Sequence, residues 1–449
     1  MQTEENKNQT FFQSNTAKML MVGLLTLVLL IPLVFVQNLI QERSDRKNEV
    51  VNEVSETWGK DIIFYGPILK IPYRSYSEVS ITNPKTKEIE IEKKAIVEYA
   101  YFFPEKLKNT SNIKKEVPLK RSLYDYVAFS TLMKFEGSFS KPNFENLQIN
   151  EEDILWDKAS MVVKTTNLKS IKSDLNIKLN SQTFAFESKN VSDKLYGQLE
   201  TKLFDYNNLS PNNDLNFDFS ISYNGSNSIK FIPIGKSTEV SVDSNWDSPS
   251  FEGSFAVEGA TKKVSKEGFH ADWKIYQINR PFSQQHLDSI PNLDTFSFGV
   301  KLIDTVDEYQ QNERVTKYGF LVIGLTFLVF FLIQVISKIK IHIFQYTMIG
   351  LALIMFYTLL ISITEHSSFQ IAYVIASISV IVMIVLYSIS ILKNKKFPML
   401  IGLSLTALYT FIYVIIQLEN YALLVGSIGL FIILVSIMYF SRKIDWESN

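Results

Sequence analysis

Residues 317–366 read KYGFLVIGLTFLVFFLIQVISKIKIHIFQYTMIGLALIMFYTLLISITEH, two apolar runs joined by a short connector that carries Lys338 and Lys340. At ~1.5 Å per helical residue, either run is long enough to cross a hydrocarbon layer of ~30 Å. Lipid offers no hydrogen-bond partners, so a backbone there must close its own bonds, and a helical hairpin does so. The rest of the chain is read outward from this pair of spans.

Toward the C-terminus the same pattern continues. Five spans are expected in all, at residues 318–336, 343–364, 369–392, 397–417 and 421–440. Far upstream, MLMVGLLTLVLLIPLVFV at 19–36 makes one more apolar run. A cleaved secretory signal would have a shorter apolar centre and a small-residue cleavage site. Here Gln37, Asn38, Leu39 and Ile40 follow instead, so the run reads as an uncleaved transmembrane helix at 19–37, with Pro32 in its outer turns. That makes six spans, arranged one plus five.

Charge then orients them. Of the 45 Lys and Arg, all but nine fall between Asn38 and Lys317, where acids slightly outnumber them. No basic face for nucleic acid emerges from that balance. The nine others are Lys7, Lys18, Lys338, Lys340, Lys393, Lys395, Lys396, Arg442 and Lys443. Lysines in short loops resist export, so the loops at 337–342 and 393–396 and the tail at 441–449 are expected in the cytoplasm, together with the tail at 1–18. The intervening loops at 365–368 and 418–420 carry no Lys or Arg. This alternation places residues 38–317 outside the cytoplasm.

That large segment has a different periodicity. Leu39, Arg43, Arg46, Val50 and Val54 recur at three- and four-residue intervals, as on a helix leaving the membrane, which should stop near Gly59. Gly66 and Pro67 read as a turn before a strand. Period-two alternation follows, clearest in LNFDFSISYNGSNSIKFIPI, where Leu215, Phe217, Phe219, Ile221 and Tyr223 share a face. There Asn224-Gly225 reads as a hairpin turn, with Ile229, Phe231 and Ile232 returning beside the first strand. The expected fold is a mainly antiparallel, β-rich extracytoplasmic domain with a juxtamembrane helix at each end, the second over 304–317.

Candidate chemistry is sparse. With no cysteine, disulfides, thiolate metal sites and thiol nucleophiles are excluded. The span interiors contain no Asp, Glu, Lys or Arg, which argues against a proton- or sodium-coupled transporter. Glu365 and His366 form an adjacent acid and imidazole at a membrane edge, and Glu419 occupies the next loop on that side. They make a candidate outer-face polar cluster, readable as a proton acceptor, a metal pair or pH sensor, or as a polar turn between helices. In the exported segment His270 and His286 are each isolated, and no hydrolase or phosphate-binding motif stands in its required context. No catalytic residue, metal ligand or cofactor is expected.

Several stretches carry a resemblance. They are IPLVFVQNLIQERSDRKNEVVNEVSETWG from Ile31, YGPILKIPY from Tyr65, RVTKYGFLVIGLTFLVFFL from Arg314, IHIFQY from Ile341, FYTLLISITEH from Phe356, ENYALLVGSIGLF from Glu419 and SRKIDW from Ser441. Together they resemble the CreD family of bacterial inner-membrane proteins. Gln334 stands where that pattern has an acid, Ile343 where it has proline and Asn420 where it has aspartate. The resemblance implies a non-enzymatic role in cell-envelope integrity, tied to a two-component response to envelope stress with tolerance to β-lactams and colicins. Implied partners are the lipid bilayer and envelope proteins or cell-wall components.

Two rival readings remain open at this point. A transporter or lipid-handling protein would have a path among the C-terminal spans, with Ser362, Thr364, Glu365 and His366 at its outer mouth. An envelope enzyme would need convergent polar groups in a pocket of the exported domain.

Overall fold

The computed structural model of the chain describes residues 15–82, 89–116, 119–121, 124–126, 128–190, 195–210, 214–302, 308–337, 339, 341–392, 396–418 and 421–442. It divides into two compact units, one made of Met1–Glu49 with Val306–Asn449, the other of Val50–Thr305.

In the first unit, helix α1 runs unbroken over Asn15–Trp58 with Pro32 inside it. It is followed by α2 (Glu308–Lys317), α3 (Gly319–Ser337), α4 (Ile343–Thr364), α5 (Phe369–Ile391), α6 (Lys396–Gln417) and α7 (Ala422–Ser441). Six helices among the described residues, all but α2, are long and apolar enough to cross a membrane. The ends of the five C-terminal ones fall within a residue of those expected, because the length and apolarity that set them are local properties of the chain, whereas α1 begins before and runs well past the expected 19–37, joining the span to the juxtamembrane helix. Apolar side chains face outward on these helices, as Leu24 at 65% and Phe431 at 66% exposed do. Lipid is as apolar as leucine, so nothing forces such residues inward.

Helix α2 is amphipathic. Tyr309, Asn312, Val315 and Thr316 are buried on one side, with Glu308 in its first turn and Arg314 and Lys317 in its last. That charge order complements the helix dipole.

The second unit contains, among its described residues, strands β1 (Asp61–Thr82), β2 (Ile89–Phe102), β3 (Lys106–Lys115), β4 (Leu119–Arg121), β5 (Tyr124–Tyr126), β6 (Phe129–Phe139), β7 (Ser160–Thr165), β8 (Asn176–Leu179) and β9 (Gln182–Lys189). The chain continues through β10 (Gly197–Thr201), β11 (Leu215–Gly225), β12 (Ser228–Phe231), β13 (Ser237–Ser244), β14 (Pro249–Gly253), β15 (Lys263–Ser265), β16 (Gly268–Tyr276), β17 (Gln285–Leu287) and β18 (Phe298–Leu302). Sixteen of them form one sheet, whose main path is ordered β14-β18-β12-β1-β7-β10-β9-β8-β11-β6-β3-β13-β16-β15. Pairing is antiparallel except for β1 with β12 and β3 with β13. The sheet folds over on itself. Phe64 of β1 stacks on Phe135 of β6 at 4.2 Å, and Phe135 on Phe219 of β11 at 4.9 Å, so the two halves share one core. At the two ends of the path Phe251 of β14 meets Phe269 and Trp273 of β16, giving a barrel-like closure.

Two local expectations are corrected. Leu215, Phe217, Phe219, Ile221 and Tyr223 do share the buried face of β11. The returning strand, however, does not pair with it: β11 lies between β6 and β8, whereas β12 lies between β1 and β18. The cause is Asp61, whose carboxylate accepts 2.6 Å hydrogen bonds from Asn227 Nδ2 and Ser228 Oγ. Those bonds seat β12 parallel to β1 in the other half of the sheet. Likewise Gly66-Pro67 is not a turn but lies at a bulge within β1, where the register against β7 shifts between Tyr65 and Ile68. Proline has no N–H to give a ladder, and a bulge is one place that tolerates it. The first helix stops as expected, at Trp58, with Gly59 at φ +106°.

Candidate functional site at the Glu365 turn

Helix α1 buries a seam of Leu29, Leu33, Val36 and Ile40, spaced by four, three and four residues. One helical face therefore looks inward along the apolar part, and continuing the spacing puts Arg43 and then Lys47 on the same face. Ile40, rather than the expected Leu39, belongs to it. Against this seam lie parts of the distant C-terminal half. A Cβ added to Gly350 of α4 would come within 2.2 Å of Leu29 Cδ1, so with any other residue the leucine would have to move. Higher up, Gln37 Nε2 lies 3.5 Å from the Thr316 carbonyl of α2, and Lys47 Nζ lies 5.7 Å over the Tyr309 ring.

At this level stands Glu365. It caps the C-terminus of α4, its N–H bonded to the Ile361 and Ile363 carbonyls. Its carboxylate pairs with Arg43 Nε at 3.6 Å, the acid side chain 16% exposed and the arginine 45%. An anion at a helix C-terminus opposes the helix dipole, so a cationic partner offsets an unfavourable placement. The structure does not join Glu365 to His366 as a functional pair. His366 is exposed, its backbone N–H bonded to the Ile363 carbonyl, and no described residue bonds its imidazole. Glu419 lies outside the described residues. Among the described residues no group of His, Cys, Asp and Glu is placed to hold a metal ion.

Polarity continues into the bundle. Asn312 and Thr316, both on the inward face of α2, are fully buried where α2 packs on α4, α5 and α6. Within those three helices Phe356, Tyr373 and Tyr409 form an aromatic cluster, with Tyr357 beside Phe356. Tyr373 donates to the Tyr409 carbonyl at 2.7 Å. The hydroxyls of Tyr357 and Tyr409, and Asn312 Oδ1, have no protein partner among the described residues. Phenylalanine would fill the same volume without stranding a hydroxyl, which costs ~1–3 kcal/mol when buried unpaired. Gln334, standing where an acid was expected from the resemblance, accepts from Tyr346 Oη at 2.9 Å and ties α3 to α4. No local pattern in the sequence marks these residues, because their neighbours come from other helices.

A second departure concerns the groove. The expected outer mouth at Ser362, Thr364, Glu365 and His366 is not part of the cavity described among the spans. That cavity, of about 740 Å³, lies between α3, α6 and α7, toward their Ser337, Lys396 and Ser441 ends. Its walls include Leu325, Leu332, Leu400, Phe411, Ile433 and Ile437.

In the strand unit His270 is not isolated. Its Nδ1 lies 2.7 Å from Asp243 and its Nε2 3.1 Å from Asp272. The Asp243 bond, against some burial, raises its pKa above the usual imidazole value. Burial works against ionised Asp272, but bonds from Ser241, His270 and Thr261 outweigh it and hold that carboxyl low. The trio is an imidazole ring held between two carboxylates, a setting that favours its protonated form. Arg280, 5% exposed, is held by the Ile234, Gly235 and Phe282 carbonyls and the Gln284 side chain. Burial lowers its pKa to about 10.

The family described as "Inner membrane protein CreD" matches this chain over residues 14–447. The chain belongs to the CreD family. A CreD-family relative, the Escherichia coli (strain K12) protein described as Inner membrane protein CreD, is 27% identical over 424 residues, spanning 94% of this chain and 91% of its own. The chain is accordingly a multi-pass inner-membrane protein in contact with the lipid bilayer. Among solved structures, a proposed nutrient-binding protein of Legionella pneumophila aligns at 8% identity and a TM-score of 0.24, over 51% of this chain and 77% of its own. A proposed protease of Parabacteroides distasonis aligns at 8% identity and a TM-score of 0.23, over 57% and 50%. At those scores neither likeness bears on this chain. The CreD assignment rests on the family match, and the clamp at Glu365 lies within the matched residues.

Proposed function

We propose that this CreD-family protein is a non-enzymatic contributor to cell-envelope integrity and the envelope stress response, with both termini cytoplasmic and the strand unit on the periplasmic side. The observation that carries the reading is the Arg43–Glu365 clamp with its Gln37–Thr316 and Lys47–Tyr309 companions. Helices α1 and α2 are the two segments through which the chain passes between spans and strand unit. Clamped to each other and to α4, they behave as one rigid stalk through which load or displacement on an envelope-facing domain reaches the spans. A non-enzymatic role is supported by how the conspicuous polar side chains of the strand unit are used: His270 is occupied by two carboxylates and Arg280 by backbone carbonyls. Envelope proteins or cell-wall components are the partners such a domain would meet.

The test uses full-length protein in a strain lacking its own copy, challenged with a β-lactam. An Arg43→Glu variant should lose most of the tolerance, and Arg43→Glu with Glu365→Arg should regain it. Full tolerance in both single and double variants would remove the stalk from the account. A reporter fused within residues 206–209 and labelled only after the outer membrane is permeabilised checks the side assignment.

A second reading, lipid handling, is favoured by the cavity between α3, α6 and α7. A soluble polar solute would find few partners on walls so largely apolar.

A further inference from the structure

The cavity between α3, α6 and α7 has a chemistry that selects its occupant. Two of its hydroxyls are already used by their own helices: Thr326 Oγ1 bonds the Val322 carbonyl at 2.6 Å and Ser436 Oγ the Ile432 carbonyl at 2.8 Å. Apart from the Ser404 hydroxyl, what remains on offer is hydrocarbon. At about 740 Å³ it falls within the size range of ligand pockets, about 300–1,000 Å³. Helix α7 closes one side: Gly429 sits against Phe411 of α6, where an added Cβ would come within 2.1 Å. Toward α3, α7 makes no comparable packing, so the cavity stays open between those two helices.

Two described basic residues stand next to the helix ends toward which the cavity lies. Lys396, the first residue of α6, precedes the lining residue Phe397, and Arg442 follows α7 with its guanidinium 4.5 Å over the Tyr439 ring. Both are exposed. An apolar slot at membrane depth, with two cations on the chain next to the helix ends it lies toward, matches an amphiphile with an anionic head and acyl tails.

We propose that this slot is a binding site for an anionic glycerophospholipid of the leaflet adjoining Lys396 and Arg442, its acyl chains between α3, α6 and α7 and its phosphate at the two basic residues. The site deepens the lipid reading above and rests on it for any role in the cell. Binding itself does not depend on which side that leaflet faces.

The full chain is purified in detergent, exposed to vesicles of equal parts phosphatidylglycerol and phosphatidylcholine, re-isolated, and its retained lipid counted by native mass spectrometry. Wild-type protein should retain one phosphatidylglycerol in preference to phosphatidylcholine. Each basic residue near a headgroup contributes about fivefold, so Lys396→Gln with Arg442→Gln should bring the preference near unity while leaving acyl binding in place. Ala407→Trp, placed on an exposed wall position, should fill the slot and cut retention of both lipids severalfold. Leu403→Trp provides a second filling variant should the first not fold. Equal retention of the two lipids by wild type would overturn the proposal, as would retention unchanged in a folded filling variant. So would disulfide crosslinks between cysteines placed on α7 of two copies, which would make the slot an interface of the protein with itself. Retention that behaves as expected while labelled lipid stays in its leaflet in proteoliposomes upholds the site and separates it from lipid handling.

Discussion

Phe135 of the strand unit is 2% exposed and Phe431 of α7 is 66% exposed, yet both are where the hydrophobic effect puts them. Water surrounds the strand unit, so its apolar residues collect inside. Lipid surrounds the spans, so theirs have nothing to escape. Polar groups divide the same way. In the strand unit they bond across the fold, as Ser160 and Lys70 do to Glu200 and Asn227 to Asp61. Among the spans the hydroxyls of Thr326, Thr364 and Ser388 turn back to carbonyls four residues earlier, at 2.6–2.7 Å. A group that cannot rely on water uses the nearest acceptor on its own helix.

The sharpest test of this contrast is a matched pair of truncations. Phe135→Ala should destabilise the strand unit by ~3–5 kcal/mol, since it empties the stack between Phe64 and Phe219. Phe431→Ala should change the stability of the spans by no more than ~0.5 kcal/mol. Urea-dependent proteolysis of the full chain in nanodiscs reads both, and a large loss for Phe431→Ala would mean that α7 is covered by protein rather than lipid.

Ion pairs offer a smaller contrast. Lys70–Glu200, at 2.9 Å, has both side chains largely buried, 15% and 9% exposed. Lys70→Met leaves the Glu200 carboxylate with the Ser160 hydroxyl but no cation, and should lower stability by ~1–3 kcal/mol. Arg43→Met removes a longer, more exposed contact and should change stability by less than ~1 kcal/mol, whatever it does to tolerance. The same proteolysis assay separates them.

Smallest of all are the two histidines, which differ in sign. His270 has a folded pKa raised by Asp243, so its stabilisation is present below the ordinary imidazole value of 6.5 and is lost as pH rises through the folded value. Burial lowers the pKa of His286, which packs on Phe103 at 5.1 Å. Its contribution is present above 6.5 and is lost as pH falls through the folded value. His270→Gln should therefore weaken the strand unit mainly on the acid side. His286→Gln should relieve part of the acid destabilisation. Parallel pH–stability profiles for the two variants would contradict these environments.

How legible each part was follows from the range of the forces that made it. The five C-terminal spans could be delimited from residues 318–440 because apolar length is written within each segment. The buried face of β11 was equally plain, since alternation is a property of neighbours. Its partner was not: Asn224-Gly225 carries the signal of a hairpin, and the bonds of Asn227 and Ser228 to Asp61, with the ladders of β12 to β1 and β18, hold the next strand elsewhere. Glu365 could be picked out as an acid at a membrane edge, but Arg43 could not be named as its partner from the far end of the chain. His270 looked solitary because Asp243 faces it only across the β13–β16 pairing.

The sequence by itself determined the number of spans, the strand character of the segment between them and the residues that avoid water, because each depends on periodicities of two or 3.6 residues that a short window contains. Tertiary structure alone decided which strand lies beside which, which cation meets Glu365, and where the helices leave an opening. Those choices are made between residues far apart in the chain, where the energy of a contact is set by geometry that no local pattern records.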